Sequence, residues 1–418
     1  MNKVEHLGDK QHNYGEILFF ALFIPWIACI ILAETTLYGE FLCHLDTLWL
    51  LLMYFFPFGL VSIKLLLFDK MELAYKTLLL LVMCIFGFQF FNVVWNPDLY
   101  LTVLCIVAAY GIDFRKILRV YLIESVLLVC MYTTLAIVGV IPNIINHQHG
   151  MTRYAFGSIW CTDYSAKFFF MLLICLYLYS KKMRWFHWIG LVALSSVVFY
   201  FTFGKLDFIC MMLALAVFFF HEQLQKQATS SKLKVFWQKL LERLAPLFTP
   251  IAAIIMTGLT LAYSPSISIL QKLNDTLSGR LRLGHRAFSE IGMSLFGQDV
   301  TWIGMGNVSN DQVPEGYNFV DCSYLNILFT FGIFAALIAI GVFAYIAFHN
   351  RKDLHLVLVV AFISLNCIVA HHFAEMAYNP FWLVILAKKP EYSEGTPLTS
   401  ILPKKKLSFS TSSEKGES

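Results

Sequence analysis

Apolar residues run through this chain in long blocks separated by short polar intervals. A helix that crosses a bilayer needs about 20 mostly apolar residues, fewer when it is tilted or capped by protein. Twelve blocks meet that description. They are Gly15–Ala33, Thr47–Leu67, Ala74–Asn92, Leu99–Ile112, Ile117–Val140, Trp160–Ser180, Trp185–Phe203, Leu206–His221, Leu247–Tyr263, Tyr324–Phe348, Leu354–Ala370 and Ala374–Ala387. The fourth, eighth and twelfth are short for a span. Two intervals break the pattern. In Glu222–Ala245, six apolar residues (Leu233, Val235, Phe236, Leu240, Leu241, Leu244) fall at helical spacing opposite Lys232, Lys239 and Arg243. That suits a helix lying on an anionic leaflet, or equally a solvated linker helix. Ser264–Cys322 is far longer than most connections, and loops of that length are usually functional. The predicted organisation is an N-terminal segment 1–14, a transmembrane bundle 15–263 containing the linker 222–245, a large loop 264–322, C-terminal spans 323–387, and a tail 388–418. The tail is polar and rich in Ser and Lys, and is expected to be disordered.

Composition agrees. Of 418 residues, 58 % are hydrophobic and only 14 % charged, with a mean hydropathy of +0.68. Soluble domains are about a quarter charged. An ordinary soluble enzyme, a disordered scaffold and a secreted disulfide framework are therefore excluded. The expected fold class is an all-α polytopic membrane protein of about twelve transmembrane helices, with a large external loop that carries an amphipathic helix. Most of the ten cysteines lie inside apolar blocks, where they act as small apolar residues. Cys43, Cys161 and Cys322 fall near predicted outer loops, the places where a bridge could form. The first block lacks a small-residue cleavage site and is expected to stay in the protein.

Charge orients the bundle. With the N-terminus inside, the inner intervals collect about 24 Lys and Arg and the outer ones about 6, with Lys167 inside a span. Both termini are then cytoplasmic. The few outer cations are Arg153, Lys205, Lys272, Arg280, Arg282 and Arg286. Three of them share the stretch Ser278–Glu290, read as a helix continuing to Gly297. Phe288, Ile291 and Leu295 form its apolar side; Arg282, His285, Arg286 and Ser289 form the other, at i, i+3, i+4 and i+7. Arg280 sits at its positive end. Stacked arginines repel unless an anion lies between them, and guanidinium binds phosphate bidentately, so a pyrophosphate is a natural ligand. Lipid headgroups, or pairing with Asp275 and Glu290, would serve the same charges.

A second constellation is His371-His372-Phe-Ala-Glu375-Met-Ala-Tyr-Asn379-Pro380, at the outer end of the eleventh block. Ionisable groups at membrane depth are expensive and usually functional. Glu375 or a histidine could act as general base toward a hydroxyl. His371 and Glu375 could hold a metal, although no third ligand is evident. The groups could also simply hydrogen-bond and fix the helix hairpin. Asp321-Cys-Ser-Tyr324 opens the tenth block, where Asp321 is expected to cap the helix or to orient an arginine. Lys205 is the lone cation of a tight turn and Asp207 could neutralise it. P-loop, DxD, GxSxG and HExxH motifs are all missing from the sequence.

The order of these features resembles the bacterial O-antigen and capsule polysaccharide polymerases, the Wzy type. The likeness lies in the span number, the late external loop with SGRLRLGHRAF and Leu295–Gly297, Asp321–Tyr324 entering a span, and the HHxxExxxNPF stretch His371–Phe381. By motif it covers about Gly279–Phe381; the related O-antigen ligases share the architecture. The resemblance implies a glycosyltransferase of the bacterial cytoplasmic membrane that joins polyprenyl-pyrophosphate-linked oligosaccharide repeats on its outer face. It implies no metal or other cofactor, and no nucleic acid. Membrane lipids, a flippase and a chain-length regulator would be its partners. Carried over by position, Arg280, Arg282 and Arg286, with Arg153, would bind the pyrophosphate, and Lys205 would stand where relatives often carry arginine. The base would be one of His285, His371, His372 and Glu375, with Asp321, Tyr324 and Asn379 in support. A polysaccharide flippase or other carrier is the alternative from another class. Carriers tend to show repeat symmetry and midplane charges, and no clear repeat is visible here.

Overall fold

The computed structural model describes residues 2–148, 150–227, 231–305 and 314–389. The polar tail from residue 390 onward lies outside them. Nine helices among the described residues are long and apolar enough to cross a membrane. In chain order the elements are α1 (Asn2–Ala33), α2 (Thr47–Phe68), α3 (Leu73–Val94), the shorter α4 (Asp98–Ala108) and α5 (Phe114–Ile137). A hairpin follows, β1 (Ile145–Gln148) paired antiparallel with β2 (Met151–Tyr154). Then come α6 (Cys161–Tyr179), α7 (Trp185–Thr202), α8 (Lys205–Gln225), α9 (Lys232–Leu244) and α10 (Phe248–Leu261). The loop helices α11 (Ser268–Thr276) and α12 (Arg280–Glu290) precede α13 (Ser323–His349) and the short α14 (Leu354–Asn366). The hairpin is the departure from an all-α expectation. All ten cysteines are free thiols, so no bridge joins Cys43, Cys161 or Cys322.

Burial separates the centre from the rim. The most apolar window of α6 is 72 % buried, against 22 % in α3 and α7. The rim helices turn large apolar side chains outward, among them Leu81, Phe88, Leu127, Tyr200, Ile254 and Leu337. In a soluble protein this surface would be an aggregation hazard; a bilayer covers it without cost. On α9, Leu233 and Phe236 are likewise exposed, while Trp237 donates its indole N–H to His221 Nδ1 at 3.1 Å.

The twelfth predicted span is not an α-helix. Residues 367–379 are turns and extended chain, followed by a 3-10 helix, Pro380–Ile385. Pro380 lacks an amide N–H and disfavours helix before it. The stretch nevertheless runs the length of α6. His372 approaches Asp163 near the start of α6, whereas the Phe381 ring packs on Phe114 and Tyr177 at the other end. The chain then leaves by pairing with residues 111–114, where the Lys388 N–H donates to the Ile112 carbonyl at 2.7 Å. Non-helical backbone is tolerated at membrane depth only where protein or a wet cavity surrounds it. Nearly every residue from 372 to 387 is buried.

A second break lies in α13. Gly332 adopts φ 88°, ψ 174°, and the loop segment after α12 inserts there. The N–H groups of Ile333 and Phe334 donate to the carbonyls of Ser294 and Leu295, and Gln298 N–H donates to Thr330 O. Gln89 adds side-chain bonds to the carbonyls of Phe296 and Phe331. The loop after α12 is thus stitched into the bundle by the groups that the break frees. A Cβ at Gly332 would lie 2.4 Å from the Gly297 nitrogen. Gly332→Ala should therefore cost at least about 1–3 kcal/mol and lower the thermal midpoint of the solubilised protein. Gly341→Ala in the same helix, where a Cβ meets nothing within 4 Å, should leave the midpoint in place. Equal melting of the two variants would show that the break is not a fixed feature.

Candidate functional site

A cavity of about 1080 Å³ lies between the loop helices, the β-hairpin, the starts of α6 and α8, and the unwound segment. Four of the predicted cations line it: Arg153, Lys205, Arg280 and Arg282. Asp163, Asp207, Asp275, Asp321, Glu34, His371 and His372 also reach it.

The corner that presents the arginines follows from two left-handed residues, Ser278 (φ 55°) and Gly279 (φ 87°), which turn the chain from α11 into α12. Asn274 Oδ1 accepts the Arg282 N–H at 2.9 Å, supplying from the previous helix the bond that an N-cap would make. The new helix ends at Glu290 rather than near Gly297. Its inward face is Leu281, Gly284 and Ala287, with Phe288 edge-on to Phe329. Leu295, expected on that face, is exposed. Gly284 allows close approach, since a Cβ there would sit 2.7 Å from Leu325 and Thr260 side-chain atoms.

The cations are held in two ways. Arg280 is anchored: Nε donates to Val369 O at 2.7 Å, Nη1 to Leu277 O at 3.1 Å, and Nη2 pairs with Asp321 at 3.1 Å. Asp321 therefore orients an arginine and does not cap α13, whose N-cap, Cys322, makes no side-chain bond. Arg153, on β2, is buried and donates from Nε to Thr202 O at 2.8 Å. Arg282 is exposed and makes no ion pair among the described residues. The Lys205 ammonium lies 4.9 Å from the Phe203 ring centroid. Asp207 turns away from Lys205 and accepts from Asn366 Nδ2 at 3.0 Å. Two anchored guanidiniums and two looser cations thus share one space.

Arg286 stands apart. It bonds Glu290 at 2.7 Å on the exposed side of α12, both side chains about half exposed (51 % and 49 %). His285 lies 3.1 Å from the Thr260 carbonyl. Neither residue lines the cavity. Tyr324 is buried and donates to Ser364 O at 2.8 Å; Asn379 bridges Phe373 O and the Phe381 N–H. Both are structural ties.

The histidine pair sits on the cavity floor. His372 Nδ1 lies 2.7 Å from Glu375 Oε2, and His371 Nε2 lies 3.5 Å from Glu375 Oε1. A carboxylate on Nδ1 fixes the tautomer and leaves Nε2 as acceptor. That Nε2 faces Asp163 at 3.8 Å. Behind His372 the Tyr378 ring is stacked at 3.8 Å, and the Lys167 ammonium lies 3.6 Å from the centroid of the same ring. Lys167 also donates to Ala377 O at 3.1 Å. Sequence reasoning gave Asp163 no role and noted Lys167 only as a cation inside a span; their i, i+4 spacing within an apolar block was the available signal. The predicted His371–Glu375 pair does not gain a third ligand; the structure gathers a different set, in which Asp163 joins the two histidines and Glu375 is not a member. Ligand atoms of Asp163, His371 and His372 lie within 4.8 Å of one another. With Glu375 orienting His372 from behind, this set has the chemistry to hold a divalent ion.

Glu34 is pushed up to about 7 by burial and then by Glu375, with Lys167 opposing.

Comparison with family models, with curated proteins and with solved structures returned no match, so the cavity's chemistry rests on its own residues.

Proposed function

We propose that this protein is a membrane glycosyltransferase that polymerises surface polysaccharide from polyprenyl-pyrophosphate-linked repeat units at the outer face of the bacterial cytoplasmic membrane. The observation that carries the reading is the meeting of Arg153, Lys205, Arg280 and Arg282 in one cavity with a histidine–carboxylate pair on its floor. The first supplies what a departing pyrophosphate needs and the second what an acceptor hydroxyl needs.

In this reading the acceptor hydroxyl oxygen forms a bond to the anomeric carbon of the donor sugar. The bond from that carbon to the pyrophosphate oxygen breaks, and its electron pair leaves with the pyrophosphate. The hydroxyl proton passes to His371, the more accessible imidazole, with Glu375 stabilising the resulting cation. Charge grows on the pyrophosphate as the bond breaks, and cations already in place lower that barrier. A single displacement inverts the anomeric centre.

Two observations favour a second reading as a carrier. The carboxylates of Glu34, Asp163 and Glu375 gather around the buried Lys167 ammonium, and unwound backbone runs beside them. Carriers use both features. A ligase that passes a finished glycan to another acceptor shares the chemistry of the first reading.

Reconstitution of the purified protein with a lipid-pyrophosphate-linked repeat unit tests all three. A ladder of products in the presence of EDTA is expected. Movement of labelled lipid across the bilayer with no new glycosidic bond would establish a carrier, and transfer of finished chains without a ladder a ligase. A ladder lost to EDTA and restored by a divalent ion would assign the Asp163–His371–His372 group to a metal. Arg282→Ala and Arg280→Ala should each cut polymer at least a hundredfold, about 2.7 kcal/mol of barrier. Arg286→Ala should stay near wild type. Equal losses at all three positions would overturn the cavity assignment.

A further inference from the structure

The cavity has a wall that the cations do not explain. Beside Asp321 the loop doubles back on itself, and Trp302, Tyr317 and Phe319 line the space. The backing is rigid. Asn318 Oδ1 accepts the Ile303 N–H at 2.7 Å, its Nδ2 donates to Thr301 O at 3.1 Å, and its own N–H donates to Ile303 O at 3.2 Å. Trp302 is fixed by its indole N–H, which donates to Thr330 Oγ1 at 3.0 Å in α13. Phe319 stands edge-on to Trp302 at 5.8 Å and to His371 at 4.8 Å. Trp302 and Phe319 therefore form a continuous aromatic path that ends at the His371 imidazole.

We infer that this wall is a saccharide subsite, which holds the acceptor pyranose against Trp302 and Phe319 with a hydroxyl directed at His371. The inference rests on the glycan-transfer reading of the cavity. Three features favour a sugar there. A volume near 1080 Å³ stands at the top of the range of about 300–1,000 Å³ for small-molecule sites, so a pyrophosphate alone leaves most of it unfilled. A pyranose has apolar C–H faces and polar edges, and aromatic faces carry the negative quadrupole that such C–H groups meet well. Asp321, Gln271 and Asn274 supply hydrogen-bonding groups in the same cavity. A lipid tail fits poorly, because it would strip water from Asp321 and His371 without replacing their hydrogen bonds.

The test uses the full-length protein in detergent and two probes. One is the free repeat-unit oligosaccharide, prepared by mild acid from the host's own surface polysaccharide. The other is geranylgeranyl pyrophosphate. Wild type is expected to bind both in calorimetric titrations. Trp302→Ala and Phe319→Ala should weaken oligosaccharide binding roughly tenfold, in line with the loss of one aromatic contact, and leave the prenyl pyrophosphate within about twofold. Trp302→Phe keeps a ring and should lose less than Trp302→Ala, which separates stacking from misfolding; the unchanged pyrophosphate affinity checks the fold of each variant. Oligosaccharide binding that is absent in wild type, or untouched by both alanine variants, overturns the subsite. Prenyl pyrophosphate that fails to bind wild type overturns the glycan-transfer reading itself. Loss of both ligands in Trp302→Phe as well as Trp302→Ala would make the wall structural and would also overturn the subsite.

Discussion

The structure depends on one demand: a stretch of non-helical backbone must cross the centre of a membrane bundle with its polar groups satisfied. Each unmade hydrogen bond in that environment costs free energy that folding can scarcely spare. The donors come from every side. Thr102 on α4 bonds the Ala374 carbonyl at 2.5 Å, and Tyr121 on α5 bonds Met376 and Ala377 at 3.1 and 2.6 Å. Lys167 on α6 also reaches Ala377. Ser323 at the start of α13 bonds Ala370, while Asn379 and Trp382 both donate to Phe373. Four helices are therefore committed to one segment of about ten residues. This explains why α6 is the most buried span and why polar side chains occupy its inner face.

The same demand shapes the cavity. In the unwound chain after α14 both imidazoles approach one carboxylate, His372 at 2.7 Å and His371 at 3.5 Å. Lys167 has two tasks at once: it satisfies a carbonyl of the unwound chain and it places a positive charge beside the acidic group of Glu34, Asp163 and Glu375. Removing it would leave both a free carbonyl and uncompensated carboxylates, so its stability and electrostatic roles cannot be separated by one substitution.

Much of the fold was legible because lipid imposes a simple code. Apolar blocks of the right length became helices, and the starts of the blocks at Trp185 and Leu354 coincide with helix starts. The twelfth block misled for a physical reason. Ala374–Ala387 is apolar because it is buried in protein, and hydropathy does not distinguish that from burial in lipid. Asn379-Pro380 was the local signal against a helix. The site was partly legible: scarce outer cations marked Arg153, Lys205, Arg280 and Arg282, and the HHxxE spacing marked the floor. The i, i+4 spacing already offered Glu290 as a partner for Arg286, whereas helical spacing could not tell that Arg280, at the corner, would turn to Asp321. Trp302 and Phe319 were invisible among so many aromatic residues, since their meaning comes from a return of the loop that no local pattern encodes.

The contrast among the cations bears on how such a cavity could work. Arg280 spends three of its five N–H groups on Val369, Leu277 and Asp321, leaving two, in a fixed direction, for an anion. Arg153 is fixed in the same manner from the hairpin side. Fixed donors stabilise developing charge at no reorganisation cost. Arg282 and Lys205 make no ion pair among the described residues, and both side chains are exposed. In the glycan-transfer reading proposed above, the two anchored arginines would define where charge develops on a leaving pyrophosphate, and the two looser cations would accompany its departure.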